Sequence, residues 1–278
     1  MNILLESTIV RHIPVLTLAP TSAHACPLIF FIPGYGGKKE ASLSLGYQLA
    51  SRGFFVVSID PWLHGERFDP RLEHAADPAL GGIYPPETGL DTGALFFQVI
   101  NHCQADVASL LDHYSGDKRW DGKRCGVTGL SMGGCVSYLV FANLPQIQAA
   151  VPMIGIPSFR QRWTDILDEC TFSNQEWAKA LAQVREVTAQ QTDFVHQIDP
   201  AEKLQQAAPR ALLMMNNDFD TDQPKHYAIS LYRQLLPHYA ATPDRLRLNI
   251  YPAGHVITMQ MEQDAVEWFE RWLQKPGD

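Results

Sequence analysis

The sequence lacks any cluster of basic residues. Lysine and arginine together number 22 against 30 aspartates and glutamates, and the formal net charge is −8. The two adjacent basic pairs, Lys38-Lys39 and Lys123-Arg124, are isolated from each other. A nucleic-acid-binding surface needs lysines and arginines grouped together to neutralise phosphates. The sequence therefore argues against nucleic acid as a partner.

Long apolar runs are also missing. Segments such as FFVVSI and ALLMM have the length of strands, whereas a membrane-spanning helix needs roughly 20 apolar residues. The opening segment, MNILLESTIVRHIP, lacks the basic start, apolar centre and small-residue cleavage site of a signal peptide. We therefore expect no membrane association and a cytoplasmic location.

Cysteine and histidine are present, but not in the patterns of disulfides or metal ligands. The five cysteines are odd in number and show no C-x-x-C spacing, and the ten histidines are scattered. Disulfide frameworks are typical of secreted proteins, and metal sites need ligands at characteristic spacings. We expect reduced, mostly buried thiols and no metal site. The cysteines are Cys26, Cys103, Cys125, Cys135 and Cys170.

The chain does contain a series of short apolar segments separated by amphipathic ones. With 278 residues, of which 46% are hydrophobic and 19% charged, it can bury the core of one α/β domain. The apolar segments are almost continuously hydrophobic, which is typical of parallel strands covered on both faces. Residues 6–18 are predicted to form an edge hairpin that turns near His12-Ile13-Pro14. The six predicted parallel strands are residues 27–33, 54–60, 124–130, 149–155, 211–216 and 246–252.

Helical patterns fill the gaps between these strands. Within residues 96–116, for example, Val99, Cys103 and Val107 lie on one apolar stripe. Strands that alternate with helices predict an α/β fold with a mostly parallel sheet and helices on both faces. The predicted helices are residues 39–53, 96–116, 132–144 and 261–275.

Two insertions interrupt this alternation. Residues 61–91 are rich in proline and glycine and are expected to form an ordered loop. Residues 157–208 contain two helical patterns, so we predict a small helical cap rather than a long structureless loop. We expect a single domain, residues 1–278, that includes this cap.

The segment GLSMGG, residues 129–134, contains the pattern G-x-S-x-G at a predicted strand-to-helix junction. In a nucleophile elbow, this pattern presents a serine hydroxyl from a strained turn, and the small neighbours avoid a clash between strand and helix. Ser131 follows a predicted strand and opens a predicted helix, so it is the candidate nucleophile. The alternative is a tight turn with an incidental serine.

A serine hydroxyl needs a histidine base that is held by a carboxylate. Where this elbow occurs, the acid and then the histidine follow the serine along the chain. His255, in the segment GHVIT, lies just past the last predicted strand and is the candidate base. The other histidines weighed for this role are His196, His226 and His238. The segment after strand 211–216 offers three candidate acids, Asp218, Asp220 and Asp222.

A tetrahedral intermediate needs two main-chain N–H donors aimed at its oxyanion. Met132, the residue after the nucleophile, is the first candidate. The segment FIPGYGG follows the first predicted parallel strand and can turn its amides inward, which makes Tyr35 the second. The alternative is a glycine-rich turn without a catalytic role. The segment does not match G-x-G-x-x-G, so a dinucleotide site is disfavoured.

Together these segments resemble the α/β-hydrolase superfamily, in particular its dienelactone hydrolase and prolyl oligopeptidase-like esterase branches. PGYGG resembles the H-G-x-G-G oxyanion loop, with Pro33 where histidine is commoner. GLSMGG and GHVIT resemble the elbow and the histidine loop, and IDPWLHGER resembles the D-x-x-G-H-G-x-R loop, with Leu63 at a frequent glycine position. The resemblance spans residues 27–273. It implies an α/β-hydrolase fold and hydrolysis of esters or related acyl compounds without cofactor or metal.

The same resemblance favours one of the three acids. Asp220 is followed four residues later by Pro224, as in the D-x-x-x-P ending that is common after this strand in related enzymes. Asp218 and Asp222 remain the alternatives. In the IDPWLHGER segment, we expect His64 and Arg67 to brace the loop rather than to take part in chemistry.

We therefore expect a serine hydrolase that cleaves small-molecule carboxylic esters with small or medium acyl groups through an acyl-enzyme intermediate. One alternative is a small exopeptidase or amidase of the same branch, whose acidic cap residues would bind an amine terminus. A second is a hydrolase fold retained as a non-catalytic ligand-binding protein. The sequence leaves the natural substrate and the oligomeric state open. The predicted pocket residues are Trp62, Tyr84, Phe159 and Trp163.

Overall fold

The computed structural model describes residues 2–21, 24–68, 95–173 and 185–274. The strands of these residues are β1 Ile3–Val10, β2 Ile13–Pro20, β3 Cys26–Ile32, β4 Phe55–Ile59, β5 Trp120–Leu130, β6 Ala149–Met153, β7 Ala211–Asn217 and β8 Leu246–Tyr251. They form one sheet in the order β1-β2-β4-β3-β5-β6-β7-β8. β3 to β8 are parallel to one another, and β2 is antiparallel to both β1 and β4. The predicted α/β fold with a mostly parallel sheet is therefore confirmed.

The N-terminal hairpin, β1 and β2, lies at one edge of the sheet as predicted. The turn is made by Arg11 and His12, whose φ angles are 47° and 65°. It falls slightly earlier than predicted, because Ile13 and Pro14 already pair with Val10 and Ile9. Two consecutive residues with positive φ are typical of a tight turn between two twisted antiparallel strands.

The six parallel strands match the predicted apolar segments closely. β5 is the exception, since it begins at Trp120 and not at residue 124. Trp120 pairs with Cys26 at the start of β3, which extends the ladder. Residues 121–124 are partly buried or exposed and include Asp121 and Lys123. Because these residues are polar, the hydrophobic pattern did not predict this part of the strand.

The four helices predicted outside the insertions are all present, and the chain forms a further one, His226–Leu235, between β7 and β8. The predicted helix 39–53 begins as a short 3₁₀ turn, Lys39–Ser42, continues as α1 and ends before Gly53, whose φ of 87° suits glycine. Val99, Cys103 and Val107 are fully buried, as the apolar stripe of α2 predicted. The helices are α1 Leu43–Ser51, α2 Leu95–Tyr114, α3 Met132–Asn143, α4 Phe159–Ser173, α5 Arg185–Ile198, α6 Ala201–Leu204, α7 His226–Leu235 and α8 Met259–Leu273.

Helices cover both faces of the sheet, which explains the continuous apolar character of its central strands. In β3, Leu28 and Phe30 join an apolar cluster with side chains of α2, α3 and α7. The alternate residues Ile29 and Phe31 join a second cluster with side chains of α1 and α8. Because successive side chains of a strand point to opposite faces, every residue of β3 must be apolar.

The two insertions are described in part. Of residues 61–91, the structure describes 61–68, and the remaining part of the predicted ordered loop lies outside the described residues. Between β6 and β7 the chain forms α4, α5 and α6, in agreement with the helical patterns of residues 157–208, of which 174–184 are not described. Across the described ranges, the structure contains no helix that is both long and apolar enough to cross a membrane.

Candidate active site

Ser131 lies in a strained turn between β5 and α3. Its φ and ψ angles are 54° and −112°, a conformation that non-glycine residues rarely adopt. A β-carbon on Gly129 would lie 2.6 Å from the carbonyl oxygen of Ile32, and one on Gly133 would lie 2.7 Å from that of Pro33. Both glycines therefore permit the close approach of α3 to β3 that holds the serine in this turn, as the G-x-S-x-G pattern predicted.

His255 bridges Ser131 and Asp220. Its Nε2 lies 2.9 Å from the Ser131 Oγ, and its Nδ1 lies 2.8 Å from Oδ2 of Asp220. A carboxylate only accepts hydrogen bonds, so Nδ1 carries the proton, Nε2 is the acceptor, and the serine hydroxyl donates to it. The Asp220 side chain is fully buried, whereas that of His255 is 30% exposed. The structure thus brings the three predicted residues into one hydrogen-bonded chain that is open at the serine end.

The other two candidate acids have different surroundings. Asp218 is paired with Lys225 at the surface. Asp222 is exposed, and its main-chain N–H donates to Oδ1 of Asp220 at 2.9 Å. The Asp220 Oδ1 also accepts the N–H of Gln223 at 2.9 Å, so both carboxylate oxygens of Asp220 are engaged. Of the three, Asp220 is the one that contacts the histidine.

Of the predicted oxyanion donors, Met132 directly follows Ser131 in the chain, and Tyr35 lies in a loop that contacts the elbow through Gly34. Met132 is the first residue of α3, where a main-chain N–H has no acceptor within its own helix. The loop that contains Tyr35 follows β3, whose last residue, Ile32, pairs with Gly129. A β-carbon on Gly34 would lie 3.6 Å from the β-carbon of the serine. The structure therefore places the PGYGG loop against the elbow.

Lys39 attaches the end of this loop to β4. Its main-chain N–H donates to Oδ1 of Asp60 at 2.8 Å, and its ammonium lies 3.3 Å from Oδ2. Its carbonyl oxygen accepts the hydroxyl of Ser58 at 2.8 Å, and its ammonium is also paired with Glu66. Both members of the central ion pair are buried, with the lysine side chain 3% exposed and the aspartate side chain 0%. No sequence pattern indicated a role for Lys39, because the segment KKE has the composition of a solvated surface.

The charges around this lysine keep it protonated. Burial by itself would lower the pKa of the ammonium, but the carboxylates of Glu66, Asp60 and Glu40 outweigh that effect and hold the pKa above its ordinary value. The buried Asp60 therefore faces a permanent positive charge as well as two main-chain N–H groups, those of Lys39 and Glu66. Such an arrangement satisfies a carboxylate that has been removed from water.

The IDPWLHGER segment braces the same region. Leu63 has a φ of 66°, the left-handed conformation that explains why glycine is frequent at this position. The ring of His64 is buried, its Nδ1–H donates to the Trp62 carbonyl at 2.7 Å, and burial lowers its pKa. Arg67 donates to the Asp60 carbonyl at 3.2 Å and is paired with Asp106 of α2. These contacts agree with the expected bracing roles of His64 and Arg67.

The predicted pocket residues occupy three different settings. Trp62 is partly buried and stacks on His102, with 4.1 Å between ring centroids. Phe159 and Trp163 of α4 are buried against Phe97 of α2, at centroid distances of 5.5 and 6.0 Å. Tyr84 lies outside the described residues. Contact of these side chains with a substrate stays a prediction.

Within the part of the chain that the structure describes, one group of acidic and histidine side chains has the proximity of metal ligands. Asp220, Asp222 and His255 each offer a ligand atom, and these atoms lie within 4.8 Å of one another. Two of the three already bond to each other, and the second oxygen of Asp220 accepts main-chain N–H groups. The hydrogen bonds account for this arrangement without an ion.

Comparison with known proteins places this site in a family. The pattern of the family described as "Prolyl oligopeptidase family" matches residues 97–276. The chain is 26% identical over 250 residues to the protein named "Putative esterase YitV" of Bacillus subtilis (strain 168), and the match covers 90% of each chain.

Solved structures confirm the fold. TT1662 from Thermus thermophilus superimposes with a TM-score of 0.72 at 20% identity, over 99% of this chain and 100% of that one. The acetyl xylan esterase from Paenibacillus sp. R4 gives a TM-score of 0.68 at 17% identity, over 98% and 90%. The fold is thus that of the α/β-hydrolases, and the chain belongs to the prolyl oligopeptidase family.

Proposed function

We propose that the chain is a serine esterase that hydrolyses small-molecule carboxylic esters through an acyl-enzyme on Ser131. The observation that carries the proposal is the continuous hydrogen-bonded chain from Ser131 through His255 to Asp220, at 2.9 and 2.8 Å. The name of the Bacillus subtilis relative, which matches over 90% of both chains, supports an ester as the substrate.

In the first step, the Ser131 hydroxyl attacks the ester carbonyl while its proton passes to Nε2 of His255. Asp220 stabilises the imidazolium that forms and keeps the ring in the tautomer with the proton on Nδ1. The negative charge on the carbonyl oxygen is stabilised by the main-chain N–H groups of Tyr35 and Met132, each of which contributes about 3–4 kcal/mol in comparable sites. His255 then gives its proton to the departing alcohol, which leaves an acyl group on the serine.

The second step repeats this sequence with water. His255 removes a proton from a water molecule, which attacks the acyl-enzyme, and the proton then returns to the Ser131 oxygen as the carboxylic acid leaves. The partial exposure of His255 is consistent with access for that water. Because the imidazole accepts a proton in each step, the neutral form of His255 is the one that the mechanism requires.

We propose that residues 157–208 form a cap on the single domain and that it contributes to the acyl pocket. Trp163 of α4 donates its indole N–H to Thr192 of α5 at 2.8 Å, so these two helices are held together. Phe159 and Trp163 also reach α2 through Phe97. A pocket beside this aromatic packing would suit a small or medium apolar acyl group.

Cleavage of amide or peptide bonds is the second candidate, and it is favoured by the family to which the chain belongs. One of the acidic cap residues that would bind an amine terminus is Asp199, and its carboxylate accepts the main-chain N–H groups of Arg160 and Ala201 at 2.6 and 2.7 Å. Both oxygens of the Asp199 carboxylate are thus already engaged by main-chain donors, which weakens this second candidate. Hydrolysis rates of an acyl ester and of its matched aminoacyl amide would separate the two activities.

A fluorophosphonate probe followed by peptide mass mapping tests the reaction class. We expect modification at Ser131 in the native protein, none at this position in Ser131→Ala, and greatly slowed labelling in His255→Ala. Hydrolysis of p-nitrophenyl esters with increasing acyl length would then measure the size of the pocket. A native protein that neither reacts with the probe nor hydrolyses any of these esters contradicts the proposal.

A further inference from the structure

We propose that Asn217 is a positioning residue for His255, and this inference rests on the proposed role of that histidine as the base. Asn217 is the last residue of β7 and is fully buried. Its Nδ2 lies 2.5 Å from the carbonyl oxygen of Gly254 and 2.8 Å from that of Val256. One side-chain amide is therefore bonded to the carbonyl oxygens of both residues that flank His255.

The partners determine the orientation of this amide. Gly254 and Val256 present carbonyl oxygens, which accept hydrogen bonds, so the NH₂ group of Asn217 must face them. The Asn217 Oδ1 then points away and has no hydrogen-bond partner among the residues that the structure describes. A buried acceptor without a partner is unfavourable. The two hydrogen bonds to the carbonyls of Gly254 and Val256 offset this unfavourable free energy.

The main chain around His255 depends on this attachment. The N–H of Val256 donates to the Gly254 carbonyl at 2.8 Å, which closes a three-residue turn with the histidine at its centre. Main-chain bonds from the segment after β7 reach as far as Ala253, which accepts the N–H of Phe219 at 3.0 Å. The Asn217 side chain extends the attachment across the turn to the far side of His255.

This arrangement sets the distance between the acid and the base. Asp220 lies three residues after Asn217, so one short segment carries the carboxylate and also holds the loop that carries the imidazole. The ring must meet Asp220 on one side and Ser131 on the other at the same time. A displacement of about 1 Å in such a site can reduce the rate about 100-fold. The Asn217 amide prevents that displacement by holding the carbonyl groups of the residues before and after His255.

The test compares Asn217→Ala with a matched control, Asn216→Ala. Asn216 is equally buried and donates its amide to the carbonyl of Gly155 at 3.4 Å, not to the histidine loop. With p-nitrophenyl butyrate, we expect Asn217→Ala to lower kcat by about 10- to 100-fold and to change KM by less than about threefold. Asn216→Ala should keep kcat within about threefold of the native value even if it lowers the free energy of unfolding as much.

Asn217→Asp distinguishes the effect of losing the amide hydrogen bonds from the effect of losing the volume of the side chain. Aspartate has the size of asparagine but places an oxygen where the two carbonyls need a donor, so we expect kcat to fall at least as far as in Asn217→Ala. This variant, with Asn216→Asp as its control, carries the test if Asn217→Ala does not fold. A kcat in either Asn217 variant within about threefold of its Asn216 control would overturn the inference.

A spectroscopic measurement is independent of activity. The proton on Nδ1 of His255, bonded to Asp220, should give a low-field NMR signal that is absent in His255→Ala. We expect the signal to shift or broaden in Asn217→Ala and to stay unchanged in Asn216→Ala. An unchanged signal in Asn217→Ala overturns the inference. If the native protein does not hydrolyse the ester, the esterase proposal fails, and the NMR signal still decides the role of Asn217.

Discussion

Gly133 packs directly against the carbonyl group of Ile32, at the point where α3 crosses the end of β3. A β-carbon on Gly133 would lie 2.6 Å from that carbonyl carbon and closer still to its oxygen. Ile32 pairs with Gly129 in the sheet, so its carbonyl cannot retreat without moving a central strand. The elbow that holds Ser131 thus depends on the absence of one methyl group.

We expect Gly133→Ala to lower the free energy of unfolding by about 3 kcal/mol or more, because the new methyl group overlaps main-chain atoms that cannot move. Urea denaturation followed by circular dichroism measures this change. Gly116→Ala is the control, since a β-carbon there meets nothing within 4 Å. Equal stability of the two variants would show that the elbow is less tightly packed than the structure indicates.

The Lys39–Asp60 pair provides the second prediction. Lys39→Met leaves the buried Asp60 without its positive partner, so we expect the free energy of unfolding to fall by about 3–5 kcal/mol. If the adjoining loop supplies an oxyanion donor as proposed, kcat at a temperature where the variant is folded should fall more than KM rises. Lys38→Met changes an exposed neighbour and should alter neither quantity. Normal stability of Lys39→Met would contradict the prediction.

The choice of acid provides the third prediction. Asp220→Asn keeps the shape of the side chain but favours the wrong histidine tautomer, so kcat should fall by about 10³- to 10⁴-fold. Asp218→Asn and Asp222→Asn should remain near the native rate, because the hydrogen bond to His255 comes from Asp220. Ester hydrolysis by the three purified variants decides the matter. A comparable loss in either control would mean that the acid had been assigned wrongly.

The buried His64 provides a prediction about pH. Burial is the main cause of the lowered pKa of His64. The bond to the Trp62 carbonyl and the charge of Asp60 raise this pKa, whereas the charge of Arg67 lowers it further. The unfolded chain therefore binds a proton at this histidine more readily than the folded protein does. The resulting stabilisation is complete above about pH 6.5 and is lost as the pH falls below that value.

Unfolding free energies measured between pH 8 and pH 5 would reveal this contribution. We expect the native protein to lose stability more steeply than His64→Gln, by up to about 1.4 kcal/mol per pH unit. His238→Gln, at an exposed position, should keep the native slope. Identical slopes for the native protein and His64→Gln would exclude a buried neutral imidazole at this position.

Local sequence patterns predicted most of the fold. The apolar runs of β3 and β7 are typical of strands covered on both faces, in which each successive side chain is buried. The start of β5 was missed because Asp121 and Lys123 break the apolar pattern, and pairing between Trp120 and Cys26 is a contact between segments far apart in the chain.

For the candidate site, the sequence by itself determined which residue types stand at the ends of which strands: Ser131 after β5, a group of aspartates after β7 and His255 after β8. Tertiary structure alone decided that Asp220, and not Asp218 or Asp222, meets the imidazole. It also decided that Lys39 and Asn217 hold the neighbouring loops, because burial and partner choice depend on chain segments that meet only when the sheet assembles.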